Sequence, residues 1–212
     1  MNYLPSTSCG EIGKILHLIL KDMLGYKTNG TFVEVGANDG KTGSFTYNLA
    51  NIGWSGINCE PVPSLYRKCC ENHKNNPNVI NLEIAVGEQE EVVQITEANT
   101  LSTMDPETLE IYKTENWTKS YFNNSKDINV NVKPLNMILN ENNITHFDLL
   151  VLDVEGYEQK VLNGFTINDY KPSMVIIEIP DQFESYIHNP SIMAKFASLR
   201  TYLETQNYKL LV

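Results

Sequence analysis

Several acidic residues sit at or just past the ends of short apolar runs, where an α/β sheet would present them to a ligand. Glu34-Val35 leads into Gly36-Ala37-Asn38-Asp39-Gly40, and Glu60-Pro61 closes a second run. Asp153-Val154-Glu155 closes a strongly apolar third run, and Glu178 stands at the end of a fourth. In open parallel sheets ligands bind beyond the carboxyl ends of the strands, so position alone makes these residues candidates. Gly36 and Gly40 let the backbone turn tightly and approach a ligand that a side chain would exclude. A helix starting after this loop would add amide donors for a carboxylate. Glu60 follows the loop by about 20 residues, the spacing at which an acidic side chain accepts hydrogen bonds from ribose hydroxyls. Together they point to a cofactor that contains a nucleoside.

The details of the loop narrow the choice. Dinucleotide sites need G-x-G-x-x-G, and the middle glycine is here Asn38, which disfavours NAD. Gly36 to Gly40-Lys41-Thr42 is one residue short of a phosphate-binding loop. Acidic residues around a loop that carries Asn38 and Asp39 suit S-adenosylmethionine instead, with its ammonium, sulfonium and ribose, because an acidic pocket attracts the positive sulfonium.

These residues need a scaffold. β-branched runs alternate with amphipathic stretches, which predicts an α/β fold: a mostly parallel central sheet with helices on both faces. We expect a leading helix over Glu11 to Leu24 ended by Gly25, then strands at Thr31 to Val35, Trp54 to Glu60 and Val79 to Val86. Helices are expected at about Thr42 to Asn51 and at Pro63 to Asn75. Residues 90–134 read as an irregular cap or insertion, with strands at Val92 to Thr96 and Ile128 to Val132 flanking a helix from Pro106 to Trp117. The rhythm resumes with helices near Leu135 to Asn142, Glu158 to Asn163 and Ser191 to Thr205. Between them come buried strands at Leu149 to Val154 and Met174 to Ile179, and Tyr208 to Val212 reads as a final strand.

The ordered motifs resemble the FkbM-type S-adenosylmethionine-dependent methyltransferases. The resemblance runs from about Thr31 to Pro180 through Phe32 to Gly40, Gly53-Trp54-Ser55-Gly56, Glu60-Pro61, Ala85-Val86-Gly87, Asp153 to Glu158 and Ile177-Glu178. It implies a Rossmann-like class I methyltransferase fold and S-adenosylmethionine as cofactor, with the glycine loop at its methionine end. By the same resemblance Glu34, Gly36, Ala37, Asn38, Asp39 and Gly40 fall in the cofactor site, as do Glu60 and Pro61 at the ribose and Ala85 and Val86 at the adenine. Ser102, Thr103 and Met104 are similar to a hydroxyl-bearing segment near the site. The implied activity is O-methylation of a hydroxyl on a sugar or other small metabolite; the alternative is a non-catalytic protein that keeps the cofactor pocket.

Hydroxyl methylation is an in-line displacement in which alignment counts most and a carboxylate removes the proton. Asp153 is the first candidate base and part of the cofactor site, Glu178 is the second, and Glu155 belongs to the same catalytic group. Along an extended chain Asp153 and Glu155 point in opposite directions, so they are expected to do different work. Glu155 and Glu158 also suit the start of the following helix. Asp153, Glu155 and Glu178 alternatively suit a divalent cation, which takes carboxylate oxygens. Tyr112, Trp117, Tyr121 and Phe122 offer aromatic faces for a sugar, or core packing.

The chain's 212 residues suit one domain over 1–212, with residues 1–28 as an N-terminal helical extension. Sixteen Lys and Arg against 26 Asp and Glu give a formal charge of -10, which works against contact with nucleic acid or anionic lipid. No apolar run approaches the roughly 20 residues that cross a bilayer, nor does the N-terminus read as an export signal, so we expect a cytoplasmic protein without membrane contact. The four cysteines lack a framework spacing and the histidines are scattered, which favours free thiols and no structural zinc. An exposed last strand or the leading helix would suit a homodimer.

Overall fold

The computed structural model describes residues 22–25 and 27–211. Of the leading helix only 22–24 fall among them, followed by Gly25 with φ +65; the rest of that expectation lies outside the described residues. The central sheet has five parallel strands: β1 (Thr31–Val35), β2 (Ser55–Cys59), β3 (Val79–Leu82), β7 (Leu149–Leu152) and β8 (Met174–Ile177), in the order β3-β2-β1-β7-β8. Three further strands, β4 (Ala85–Gly87), β5 (Glu91–Glu97) and β6 (Lys126–Pro134), form a second sheet in the order β4-β6-β5. There β4 runs parallel to β6, and β5 antiparallel to it.

Alternation along the strands divides the core. Val33, Val35, Leu150 and Leu152 face one side with Ile57 and Cys59. There they meet Leu135, Ile138 and Leu139 of α4 (Leu135–Glu141), Val161 and Leu162 of α5 (Glu158–Asn163), and Phe196 and Leu199 of α8 (Pro190–Thr205). Phe32, Leu149 and Val151 face the other side and pack on Trp54 and on Leu49 and Ala50 of α1 (Tyr47–Asn51). Strands buried on both faces read as continuous apolar runs, which is why β7, Leu-Leu-Val-Leu, carries no polar residue. The fold is thus the expected α/β one, with a Rossmann-like parallel sheet.

The register places the chemistry. Val35 pairs with Cys59 and with Leu152, and Leu152 pairs with Ile177. The next residues, Gly36, Glu60, Asp153 and Glu178, therefore form one row along the carboxyl edge. Their amides extend the ladder: Gly36 donates to Cys59, Asp153 to Val35 and Glu178 to Leu152, at 3.0 to 3.1 Å.

Some elements differ from expectation. The run from Val79 to Val86 is two strands in two sheets, because Ala85–Gly87 leaves β2 and pairs with Val132 to Pro134. The helix expected from Thr42 begins only at Tyr47, since side chains occupy the preceding amides: Asp39 accepts from the Lys41 and Thr42 amides, and Glu34 from that of Phe45. α2 (Pro63–Asn72) ends three residues short of its expected end, and α3 (Pro106–Thr114) stops before Trp117. Residues 208–211 form no strand; Tyr208 instead donates its hydroxyl to the Pro172 carbonyl at 2.7 Å. Two short helices went unread, α6 (Ile167–Tyr170) and α7 (Glu184–Ile187).

Candidate active site

The glycine loop is set by close approach. Gly36 has φ +83, and a Cβ there would lie 1.8 Å from the Asp153 carbonyl oxygen, so no side chain fits where β1 and β7 end together. Asn38 takes the left-handed conformation, with φ 53, and its amide donates to Glu60 Oε2 at 2.8 Å. The Val62 amide donates to Glu60 Oε1, also at 2.8 Å. Glu60 therefore ties the loop after β1 to the loop after β2, and each carboxylate oxygen keeps a lone pair for another donor. Burial pushes its carboxyl up to about 7, opposed by those two amides.

One cleft runs above this row. Gly36, Asn38, Glu60, Pro61, Ala85, Val86, Asp153 and Glu155 line it, all residues singled out from sequence. Leu65, Ile84 and Ile95, unforeseen, join Val86 and Met104 as apolar walls, and Asn99, Thr100 and Ser102 close the far side. The apolar periodicity that marked Ile95 as a strand residue gave no sign that it faces a ligand.

Other expected cofactor residues lie behind the cleft. Glu34 is buried and accepts from Ser44 Oγ at 2.9 Å, Thr46 Oγ1 at 2.5 Å and the Phe45 amide at 3.2 Å, while burial raises its carboxyl to about 7. Its oxygens are thus turned to the 44–46 loop. Asp39 is occupied by Lys41 and Thr42, Ala37 is buried with its amide on the Cys59 carbonyl, and the Gly40 carbonyl bonds His73 Nε2 at 2.8 Å. These residues shape the loop without lining the cleft.

Oxygens of Asp153, Glu155 and Glu178 all lie within 4.8 Å of one another. The expectation that Asp153 and Glu155 point apart is corrected here: the strand ends at Leu152, and φ values of +52 at Glu155 and +96 at Gly156 fold the chain back. A Cβ on Gly156 would lie 2.2 Å from Thr108 Oγ1, so the turn packs directly on α3. Thr103 Oγ1 donates to the Glu155 carbonyl at 2.7 Å, and Tyr112 donates its hydroxyl to the Glu155 carboxylate. Glu158 is buried and accepts from the Val154 and Gly156 amides at 3.1 and 3.3 Å, which fixes the turn from below.

Crowded carboxyl groups cannot all ionise. Burial first, then the charges of Asp153 and Glu158, push Glu178 up to about 8. Burial also raises Asp153, against a hydrogen bond from Glu178. Glu155 lies well above the ordinary range through burial and the charges of Glu178 and Asp153. A proton kept on Glu178 would thus be donated to Asp153. Oxygen-only donors at this spacing also match the make-up of a hard-cation site.

The aromatic residues divide. Tyr112 is buried, 6.0 Å between centroids from Phe122, whereas Trp117 and Tyr121 are exposed on the surface. Among the described residues no helix is long and apolar enough to cross a membrane.

A search of curated proteins finds no match. The family model described as the methyltransferase FkbM domain matches residues 34–210, from Glu34 in β1 through α8 and so across every residue of the cleft. A parallel sheet with its acidic row at the carboxyl edge, matched over most of its length by that model, makes this chain a member of the FkbM methyltransferase family.

Proposed function

We propose that this methyltransferase carries a methyl group from S-adenosylmethionine to a hydroxyl of a sugar or other small metabolite. The main support is the convergence of Glu60 and the Asp153, Glu155 and Glu178 carboxyls on one edge of the sheet. The donor set fits the cofactor: none of the described residues lining the cleft is basic, and its walls at Leu65, Ile84, Val86, Ile95 and Met104 suit a flat heterocycle. Glu60, with a free lone pair on each oxygen, would accept from the ribose hydroxyls. The Gly36 to Asn38 backbone would hold the methionine end.

When bound, S-adenosylmethionine supplies an electrophilic methyl group on a positive sulfonium. This chain supplies alignment and a place for the proton. Asp153 accepts the proton of the acceptor hydroxyl, and Glu178 holds the shared proton against Asp153 so that only one of the two is charged. Glu155, fixed by Tyr112, walls the cleft beside them and holds the turn in place. Free thiols at Cys59, Cys69 and Cys70 suit a reducing compartment, and we locate the enzyme in the cytoplasm.

Incubation with S-adenosylmethionine labelled in its methyl group and a panel of mono- and disaccharides tests the reading. We expect label in a methyl ether, lost in Asp153→Asn. Tight cofactor binding with no transfer to any hydroxyl would make the chain a non-catalytic binding protein.

A further inference from the structure

The carboxylate trio borders three concavities: the glycine-loop cleft, an open notch, and a pocket that Glu178 shares with Tyr112, Glu158 and Lys195. Asp153 and Glu155 line the glycine-loop cleft. Glu178 lines a separate, open notch with Ile179, Pro180, Gln182 and Phe183. Because oxygens of all three carboxyls lie within 4.8 Å of one another, the cleft and the notch both border the same carboxyl cluster. Building on the methyl transfer proposed above, we propose that the notch is the acceptor subsite and that Phe183 selects a neutral sugar ring there.

The chemistry of the notch defines the class. Phe183 is 54% exposed beside Ile179 and Pro180, so its ring face is available to the C–H face of a pyranose, while the Gln182 amide and the trio meet the hydroxylated edge. The segment is held in place: Arg200 of α8 binds Asp181 Oδ2 at 2.6 and 3.1 Å, and the Phe183 amide donates to the Pro180 carbonyl at 3.2 Å. An anionic acceptor is disfavoured. Arg200 is engaged by Asp181, Lys195 by Asp105 and Glu107, and an anion in the notch would face the acidic trio.

Saturation-transfer NMR on the full chain, with and without S-adenosylhomocysteine, tests this with methyl glucoside, mannoside, galactoside and rhamnoside as probes and glucuronate as the anionic counterpart. We expect saturation of ring protons in at least one neutral glycoside, a loss of fivefold or more in Phe183→Ala, retention in Phe183→Tyr, and no signal from glucuronate. Phe183 is surface-exposed, so the variants should fold, and unchanged S-adenosylhomocysteine affinity by calorimetry would confirm that. Full signal in Phe183→Ala, equal binding of glucuronate, or no neutral glycoside bound would overturn the inference. Failure of S-adenosylhomocysteine to bind would instead count against the methyl-transfer reading.

Discussion

Tyr112 donates its hydroxyl to Glu155 across 43 residues of chain, so the helix inserted between β5 and β6 holds the turn that follows β7. That bond joins those made by Thr103 and Glu158 in holding Glu155 in a left-handed conformation beside Asp153, which non-glycine residues visit at a cost.

Tyr112→Phe tests this link. The ring keeps its packing on Phe122 and Trp117, and only the hydroxyl is lost. We expect kcat to fall about tenfold, or ~1.4 kcal/mol, near the upper end for a hydrogen bond between neutral groups. Cofactor affinity should stay within about twofold of wild type, as for an interaction made mainly in the transition state. Unchanged kcat would remove Glu155 from the catalytic group.

Asp153 and Glu178 should separate by substitution. Asp153→Asn is expected to lower kcat by ~10²–10⁴, the usual worth of a general base, with little change in cofactor affinity. Glu178→Gln keeps a donor toward Asp153 and should retain activity within about tenfold. The opposite ranking in steady-state kinetics would make Glu178 the base.

Glu60→Ala removes a side chain that lines the cleft and accepts from the amides of Asn38 and Val62. S-adenosylmethionine affinity should fall by ~1–3 kcal/mol, roughly 5- to 150-fold, measured by calorimetry. Unaltered affinity would take Glu60 out of the site.

Stability should carry the mark of the buried acids. Glu34, Glu60 and Glu158 are buried and sit at about 7, raised by that burial from 4.5. Between those values the folded protein holds protons that the unfolded chain releases, so stability decreases as pH rises. The contribution is complete below about 4.5 and is lost as pH climbs through about 7. Thermal unfolding of the unliganded protein should therefore give a higher Tm at pH 5.5 than at pH 8, and a Tm that rises over that interval would contradict the placement of these carboxyls.

Much of this was legible in the residues. β1, β2 and β7 follow from their apolar runs, and the parallel class from their alternation with helices. Gly36, Glu60, Asp153 and Glu178 were legible as strand-end residues because a parallel register aligns such ends. The shared direction of Asp153 and Glu155 was not, because it depends on a left-handed non-glycine residue whose conformation long-range bonds from Thr103 and Tyr112 enforce. Gly156, next in sequence, was the one local hint. Glu34 illustrates the reverse: Ser44 and Thr46, close by in sequence, offered hydroxyl donors that turn it away from the cleft. The break of Val79 to Val86 into two sheets depends on pairing with β6, some 45 residues away, which no local pattern encodes.

Calorimetric titration of the full chain with S-adenosylmethionine, S-adenosylhomocysteine and NAD tests the central claim most directly. We expect micromolar binding of the first two, weakened in Glu60→Ala, and none of NAD. Absence of binding by either adenosyl compound, or preference for NAD, would contradict the cofactor assignment and with it the proposed methyl transfer.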